Sequence, residues 1–300
     1  MAILVVGATG LVGQAAALRL REGGNQVRGL VRGGASHPKA KDLQAAGIGI
    51  VEGDLTRPES LAAACVGTES IVCTATSMPA AANDGVRRVD LEGTLALIEM
   101  AERAGVQRFV YTSYSGNLRF DSPLETAKRT CEDRLLKGRM QAIILRPSYF
   151  MEMWLSALLG FDPEKGTVRI YGSGEGKVSY ISAFDVAEFA AAAVVKEADE
   201  RQTILEMGGP EAISQLEAVG VFERTLGKKI TVDHVPAEAL HQQHQSATDP
   251  LQKTFAALML GYAQGDVIEG ARETAKKYGV RLRSVTEYAT GFRAQRAGVA

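Results

Sequence analysis

The first half of the chain alternates short runs rich in Val and Ile with longer runs whose apolar residues recur at helical spacing. The short runs are AILVV (residues 2–6), QVRGLV, GIGIVEGD, SIVCTA, RFVYTS and QAIILRP, and they predict strands. Strands that alternate with helices in this way favour a parallel sheet that is covered on both faces. The predicted fold class is therefore α/β, with a doubly wound parallel sheet.

The pattern changes after about residue 150, where Gly-rich turns, short strands and helices follow one another without the earlier alternation. The alanine-rich run SAFDVAEFAAAAVV lies within this region and is predicted to return to the first sheet. The predicted first domain comprises residues 1–150 plus 182–206. A smaller C-terminal lobe is predicted from residues 151–181 plus 207–300.

A glycine-rich loop, VVGATGLVG, joins the first predicted strand to the first predicted helix. Gly7 allows a tight turn, Gly10 lets a diphosphate approach the backbone, and Gly13 lets the helix pack close to the sheet. The N-terminus of the helix offers free N–H groups and a partial positive charge to the anion. The loop predicts a dinucleotide site, and the alternative is a purely structural turn. Further cofactor contacts predicted in the loop are Thr9, Leu11 and Val12.

The second predicted strand ends in GLVRGG, so Arg32 stands where an NAD site commonly has Asp or Glu. A carboxylate at this place accepts from the ribose 2′-OH, whereas a guanidinium binds a 2′-phosphate. The chain is therefore predicted to bind NADP(H) in preference to NAD(H). The alternative is that Arg32 is a solvated loop charge.

Two other strand ends supply candidate cofactor contacts, because ligands of such sheets lie at the carboxyl ends of the strands. Asp54 follows the third strand in EGDL and is predicted to accept from an adenine amino group; the alternative is a charge at a helix N-terminus. Leu55 is a further predicted contact. The small residues after the fourth strand leave room for phosphates and ribose, and the contacts predicted there are Thr74, Ala75, Thr76 and Ser77.

Together these motifs resemble the short-chain dehydrogenase/reductase superfamily, and they resemble its atypical NmrA-like branch most closely. The resemblance rests on GATGLVG, GDL, RFVYTS, AKRTCE, ILRPSYFMEMW, YISAFDVA and GGPEAISQLEAV, which extend over nearly the whole chain. It implies a Rossmann fold that binds NAD(P)H, with a small substrate lobe. It implies either a reductase of quinones and other small conjugated molecules or a protein that binds NADP(H) and regulates partners without turnover.

The predicted helix SPLETAKRTCEDRLLKG places Lys128 in an apolar stripe between Leu124 and Leu135. The resemblance assigns such a lysine to the nicotinamide ribose and places a tyrosine, the general acid, four residues before it. Here that residue is Leu124, which excludes tyrosine-based acid catalysis from this helix. Lys128 is predicted to bind the ribose and is a candidate proton donor. The alternative is a lysine whose head reaches water.

Other candidate residues follow the fifth and sixth predicted strands. Tyr114 aligns best with the family's usual serine and is a candidate catalytic residue, with Ser113 and Ser115 as alternatives for that role. Ser113 is also a candidate cofactor contact. The aromatic residues of RPSYFMEMW suit a planar apolar substrate at the junction of the two predicted domains. For all of these side chains the alternative is ordinary packing. The predicted substrate contacts are Tyr114, Tyr149, Phe150, Met153 and Trp154, with Tyr149 and Phe150 also predicted to contact the cofactor.

Composition narrows the class of partner. A formal net charge of -1 at pH 7 gives no field that favours nucleic acid or an anionic membrane. The cysteines lack CxxC spacing, the N-terminus lacks a basic targeting region, and no apolar run is long enough to span a bilayer, so a cytoplasmic location is predicted. The stretch HQQH is predicted to be a solvated helix face, and no metal site is expected.

The sequence supports two hypotheses. The first is an enzyme, an NADPH-dependent oxidoreductase that reduces a small planar acceptor such as a quinone, an enone or an imine-like molecule. An acceptor that delocalises charge tolerates weak acid catalysis, which fits the missing tyrosine. The second hypothesis is a non-catalytic, NADP(H)-sensing regulatory protein, for which a protein partner is expected.

Overall fold

The computed structural model describes residues 1–78, 84–197 and 200–297. Its strands are β1 (Ala2–Val6), β2 (Gln26–Val31), β3 (Gly49–Glu52), β4 (Ser70–Cys73), β5 (Arg108–Thr112), β6 (Gln141–Pro147), β7 (Phe161–Asp162), β8 (Thr167–Tyr171), β9 (Lys177–Val178), β10 (Gln202–Met207), β11 (Ile213–Ser214) and β12 (Thr231–Val235). Its α-helices are α1 (Leu11–Glu22), α2 (Ala40–Ala45), α3 (Leu61–Cys65), α4 (Thr94–Arg103), α5 (Pro123–Leu136), α6 (Met151–Trp154), α7 (Ala183–Val195), α8 (Gln215–Leu226), α9 (Ala237–Ser246), α10 (Pro250–Gln264), α11 (Ala271–Tyr278) and α12 (Val285–Ala297).

The main sheet has seven strands in the order β10-β6-β5-β4-β1-β2-β3. The pairs β1–β2, β1–β4, β2–β3, β4–β5 and β5–β6 are parallel. The order reverses between β1 and β4, which are neighbours although two strands separate them along the chain. This arrangement, flanked by helices, confirms the predicted Rossmann-type α/β fold, and ligands of such sheets bind where the order reverses.

The central strands are apolar because helices cover them. All four residues of β4 are buried, and so are the last four residues of both β1 and β5. Their side chains share a core with apolar residues of α3, α4 and α5. The register places Val6 beside Cys73 and Thr112 beside Leu145, so the carboxyl ends of these strands lie together at one edge.

One segment that the sequence predicts as a single helix is wound in two different ways. The sequence predicts a single long helix through VDLEGTLALIEMAERAG, but the chain is wound as a π-helix over Val86–Gly93 and as the α-helix α4 only from Thr94. A β-carbon on Gly93 would lie 2.3 Å from the Leu55 carbonyl oxygen, so this turn packs directly on the backbone after β3. π-Helical turns are rare and often occur at functional sites. This one carries Asp90, which is fully buried.

The chain divides into two compact units. The first comprises Met1–Tyr114, Asp121–Arg146 and Val186–Leu205, and the second comprises Ser115–Phe120, Pro147–Asp185 and Glu206–Ala300. The predicted domain bounds, 1–150 plus 182–206 and 151–181 plus 207–300, stay a prediction.

The second unit contains two small sheets. In one, β8 pairs with β12 in parallel and with β7 in antiparallel fashion; in the other, β9 pairs with β11. Helix α8 begins at a capping box in which Ser214 and Glu217 bond to each other's backbone N–H groups, and it packs against α12. No helix in the described ranges combines the length and the apolar character that crossing a membrane requires.

Candidate functional site

The turn between β1 and α1 can be built only with glycine at two positions. Gly7 has a φ of 91°, and a β-carbon there would lie 2.7 Å from Thr74 Oγ1. On Gly13 a β-carbon would lie 2.2 Å from the Gly7 carbonyl oxygen. Gly10 differs, because it is exposed and its nearest neighbour is the Gly7 oxygen at 3.3 Å. Two glycines therefore shape the turn, and the third lies exposed at its surface.

The N-terminus of α1 is open. Its N-cap, Gly10, has no side chain to bond the first-turn N–H groups, and no acidic residue lies in the first turn. Leu11 is 47% exposed, and Thr9 and Val12 are half-buried. Unbonded N–H groups at a helix N-terminus bind anions, so this turn fits the diphosphate of a dinucleotide.

Two basic side chains lie on the segment after β2. Arg32 directly follows β2, is exposed, and forms no ion pair with any residue that the structure describes. Lys39 is also exposed, and its Nζ donates to the Thr9 carbonyl oxygen at 2.8 Å. The sequence does not single out Lys39, because the run HPKAKDL contains two lysines and the pattern does not show which one reaches the glycine loop.

The residues that follow β3 and β4 differ in how their side chains are bonded and buried. Asp54 Oδ1 accepts from the backbone N–H and the hydroxyl of Thr56 at 2.8 and 2.9 Å, and Asp54 Oδ2 lies 4.0 Å from Arg57 Nε. The Leu55 side chain is buried in the core of the sheet. After β4, Thr74 Oγ1 donates to the Val6 carbonyl oxygen at 3.3 Å.

Beyond Thr74 the segment becomes more open. Ala75 is half-buried and Thr76 is exposed. The Thr76 hydroxyl accepts from the Met78 N–H at 3.2 Å. Ser77 points inward and bonds to Asp90 through its N–H and its hydroxyl at 3.0 and 2.6 Å.

Lys128 is buried, as its place in the apolar stripe of α5 predicts: only 5% of the residue is exposed. Its Nζ lies 3.4 Å from Asp90 Oδ1 and 5.1 Å from the centre of the Tyr111 ring, and it donates to the Thr112 carbonyl oxygen at 3.3 Å. The head therefore does not reach water. Leu124, one turn earlier, is also buried and contributes no polar group.

Asp90 is the other residue of the candidate site that the sequence does not single out. It is fully buried, and its Oδ1 atom accepts no hydrogen bond although it lies within ion-pair distance of Lys128. In the sequence Asp90 looks like an ordinary polar position of an amphipathic helix. Only the π-helical winding and the packing of α5 on this segment show that it faces the interior.

Tyr114 is half-buried under the Arg129 guanidinium, whose carbon lies 4.6 Å from the ring centre. Burial raises the pKa of the Tyr114 phenol, so the hydroxyl stays protonated and is a weaker acid than an exposed tyrosine. Arg129 also donates to the Tyr114 carbonyl oxygen at 3.2 Å. Ser113 lies beside this group and is buried.

Glu132, on α5, accepts hydrogen bonds from two arginine side chains. Its carboxylate accepts from Arg129 at 2.6 Å and from Arg146 Nε at 3.2 Å, and only 2% of the residue is exposed. Burial by itself raises the pKa of Glu132, but hydrogen bonds from Arg146 and Ser113 outweigh it, so the pKa lies below its usual value.

The aromatic residues after β6 lie in the second unit. Tyr149 and Trp154 are buried with ring centres 4.7 Å apart, and Tyr262 packs against both. The Tyr149 hydroxyl donates to the Leu258 carbonyl oxygen at 3.1 Å. Phe150 and Met153 are half-buried. The predicted contacts of these residues with cofactor and substrate stay a prediction.

No metal site is found among the described residues, because they contain no group of three His, Cys, Asp or Glu side chains that could hold an ion. His241 and His244 lie on α9, the first exposed and the second half-buried.

The model of the NmrA-like family matches residues 1–289. The chain belongs to the NmrA-like family. This confirms the resemblance on which the sequence analysis depended, and the match includes the glycine loop, α5 and most of the second unit.

Several known proteins and solved structures are similar to this chain over most of its length. An NAD(P)H azoreductase of Xenophilus azovorans is 29% identical in an alignment of 299 positions that covers 96% of this chain and 96% of its own. The photosystem II assembly factor Ycf39 of Guillardia theta is 30% identical over 80% of this chain and 75% of its own. The NADPH-dependent quinone oxidoreductase QOR2 of Escherichia coli, solved with NADPH, superposes with a TM-score of 0.79 at 22% identity, covering 97% of this chain and 99% of the other.

Proposed function

We propose that this chain is an NADPH-dependent reductase that transfers a hydride to a small planar acceptor of the quinone, enone or imine-like class. The observation that carries the proposal is the buried Lys128 on a helix in which residue 124 is leucine. Because no tyrosine hydroxyl donates a proton from α5, the acceptor has to stabilise negative charge itself. A quinone or a conjugated carbonyl does so by delocalisation.

NADP(H) is the cofactor, and when bound it supplies the hydride from C4 of its nicotinamide. The open N-terminus of α1 holds the diphosphate, with Thr9, Gly10 and Leu11 beside it. Arg32 and Lys39 hold the 2′-phosphate. The names of the azoreductase relative and of the quinone oxidoreductase neighbour each pair a nicotinamide cofactor with a small acceptor, which supports this assignment.

Three segments hold the remainder of the cofactor. Asp54 Oδ2 accepts from the adenine amino group, because Thr56 already donates two hydrogen bonds to Oδ1. The segment Thr74–Thr76 lies beside the glycine loop and leaves room for phosphates and ribose. Lys128 donates to the hydroxyls of the nicotinamide ribose.

Tyr114 and Lys128 take different roles toward the acceptor. The raised pKa of Tyr114 keeps its hydroxyl protonated, so the phenol donates a hydrogen bond that orients a carbonyl and does not give up its proton. The proton that completes the reduction comes from Lys128 or from solvent. Apolar contact to the planar substrate is provided by Tyr149, Phe150, Met153 and Trp154.

The choice of nucleotide gives one test. Arg32→Ala is expected to weaken NADPH binding by about 10- to 100-fold, because a charge-assisted bond to phosphate is worth roughly 1.5–3 kcal/mol. NADH, which lacks the 2′-phosphate, is expected to lose less than about threefold. Isothermal titration calorimetry with both nucleotides measures the difference.

Lys39→Ala and Lys41→Ala form a matched pair for the same experiment, since both lysines are exposed and lie close together in sequence. Only the Lys39 variant is expected to weaken NADPH, by about fivefold. Equal losses of NADPH and NADH in the Arg32 variant would contradict the 2′-phosphate assignment.

Turnover gives a second test. NADPH oxidation is followed spectroscopically with a panel of quinones, enones and azo dyes, and Lys128→Met is expected to lower kcat by about 10- to 100-fold. The control is Lys137→Met, since this lysine follows the same helix with 80% of its side chain exposed, and it is expected to keep wild-type turnover.

A second candidate function follows from the Ycf39 relative, which is named as an assembly factor and not as an enzyme. Under this alternative the chain binds NADP(H) and acts on a protein partner without turnover. Tight binding of NADPH, together with no oxidation by any member of the acceptor panel, supports the alternative and refutes the reductase.

A further inference from the structure

Asp90 contacts two segments of the chain that the proposed function uses. Its Oδ2 atom accepts the N–H and the hydroxyl of Ser77, which belongs to the segment after β4. Its Oδ1 atom lies 3.4 Å from Lys128 Nζ and accepts no hydrogen bond. The geometry is therefore that of an ion pair whose partners are close but not aligned. A single buried carboxylate connects the segment after β4 to Lys128 on α5.

The other ionisable groups around Lys128 carry no charge near neutral pH. Burial raises the pKa of the Cys73 thiol to about 11 and that of the Cys131 thiol to about 12. Burial also raises the pKa of the Tyr111 phenol well above its usual value. Among the described groups that face Lys128, Asp90 is therefore the one negative charge that balances the ammonium.

We infer that Asp90 is a positioning residue: its carboxylate holds the Lys128 ammonium and the segment after β4 in place together, so that NADP(H) meets both in one fixed arrangement. The inference rests on the proposed function, because it assumes that Lys128 and the segment after β4 contact the nucleotide. Asp90 itself touches neither cofactor nor substrate. A buried ammonium without its counter-charge is strongly destabilised, and the π-helical winding places the carboxylate where that charge is needed.

The substitution Asp90→Asn removes the negative charge and keeps the shape of the side chain. The asparagine oxygen still accepts from Ser77, but the amide N–H groups now face the ammonium of Lys128. The ammonium then has no counter-charge to hold it in place. At pH 7 the affinity for NADP⁺ is expected to fall about tenfold.

Calorimetric titration with NADP⁺ at pH 7 measures this loss of affinity. Ser77→Ala is the matched comparison, because it removes one bond to Asp90 and leaves the charge pair. It is expected to weaken binding about threefold. An Asp90→Asn variant that loses no more affinity than Ser77→Ala would mean that the charge of Asp90 plays no part, and the inference would be wrong.

A double-substitution cycle tests whether Asp90 acts through Lys128. Adding Asp90→Asn to Lys128→Met is expected to change NADP⁺ affinity by less than about twofold, since the ammonium on which Asp90 acts is gone. Losses that add in the double variant overturn the inference.

The same cycle without nucleotide separates this inference from the proposed function. Each single substitution is expected to lower Tm by about 10 °C, because it leaves one buried charge unpaired. The double variant, which buries neither charge, is expected to recover at least half of that loss. If the wild-type protein binds no nucleotide, the proposed function is wrong, and the Tm cycle still shows whether Asp90 and Lys128 stabilise each other. If NADP⁺ binds and the Tm losses add, the pairing is refuted and the proposed function survives.

Discussion

Gly13→Ala is expected to abolish NADP(H) binding, with affinity reduced more than about 100-fold, and to lower the free energy of unfolding by about 3 kcal/mol. The added β-carbon would lie 2.2 Å from the Gly7 carbonyl oxygen and 2.6 Å from Thr74 Oγ1. The Gly7 carbonyl is backbone and cannot rotate aside, so α1 has to move away from the turn. Urea unfolding and calorimetry with NADP⁺ measure the two effects.

Two other glycines make this experiment specific. Gly291 lies in α12 with no atom within 4 Å of an added β-carbon, and Gly291→Ala is expected to keep wild-type binding and to gain up to about 1 kcal/mol from helix propensity. Gly10→Ala is less crowded, since its β-carbon would lie 3.3 Å from the Gly7 carbonyl oxygen, but it places a methyl group where the diphosphate approaches. It is expected to lose binding while losing much less stability than Gly13→Ala. Normal NADP(H) affinity in the Gly10 and Gly13 variants would refute the diphosphate site.

Glu132→Gln is expected to lower the free energy of unfolding by about 3–5 kcal/mol at pH 7, which is the cost of breaking a buried ion pair on one side. The carboxylate is buried between Arg129 and Arg146, and the substitution keeps its shape while it removes the charge. Because Arg129 also stacks on Tyr114, acceptor turnover is expected to fall in parallel. Chemical unfolding monitored by circular dichroism gives the stability change.

Glu99→Gln is the control, since Glu99 pairs with Arg103 on an exposed helix face where ion pairs contribute less than about 1 kcal/mol.

The pH dependence of stability is a further check on the charge of Glu132. The pKa of Glu132 is lowered in the folded protein, so its charge stabilises the fold above the unfolded pKa of about 4.3, and this contribution is lost as pH falls through the folded value. The difference between wild type and the Gln variant is therefore expected to shrink below about pH 4. A difference that stays constant down to pH 3 would contradict the role of the charge.

The parts of the fold that depend on local pattern were predictable. The alternation of apolar runs predicted the strands β1–β6, their parallel arrangement and the helices between them, and the structure confirms these. The spacing of Gly7, Gly10 and Gly13 located the turn, because backbone conformation and the absence of a side chain are properties of single residues. The family was recognisable for the same reason, since its motifs are short and contiguous.

The contacts that complete the candidate site were not predictable in the same way. Asp90 reads as a polar position of an amphipathic helix, and the π-helical winding that turns it inward has no signal in the hydrophobic period. Lys39 and Lys41 are equivalent in sequence, and only the path of the chain after β2 brings one of them to Thr9. The aromatic residues after β6 were predicted as substrate contacts, but whether they pack or bind depends on neighbours such as Tyr262, far along the chain.

By itself, then, the sequence determined the fold class, the family, the glycine turn and the burial of Lys128, because each depends on the chemistry or periodicity of neighbouring residues. The tertiary structure decided which charges meet: Asp90 with Lys128, Glu132 with Arg146, and Lys39 with the glycine loop. Electrostatic interactions act through space and vary steeply with distance and burial. Residues that are distant in sequence therefore acquire a chemical role only when the folded chain places them within a few ångströms of each other.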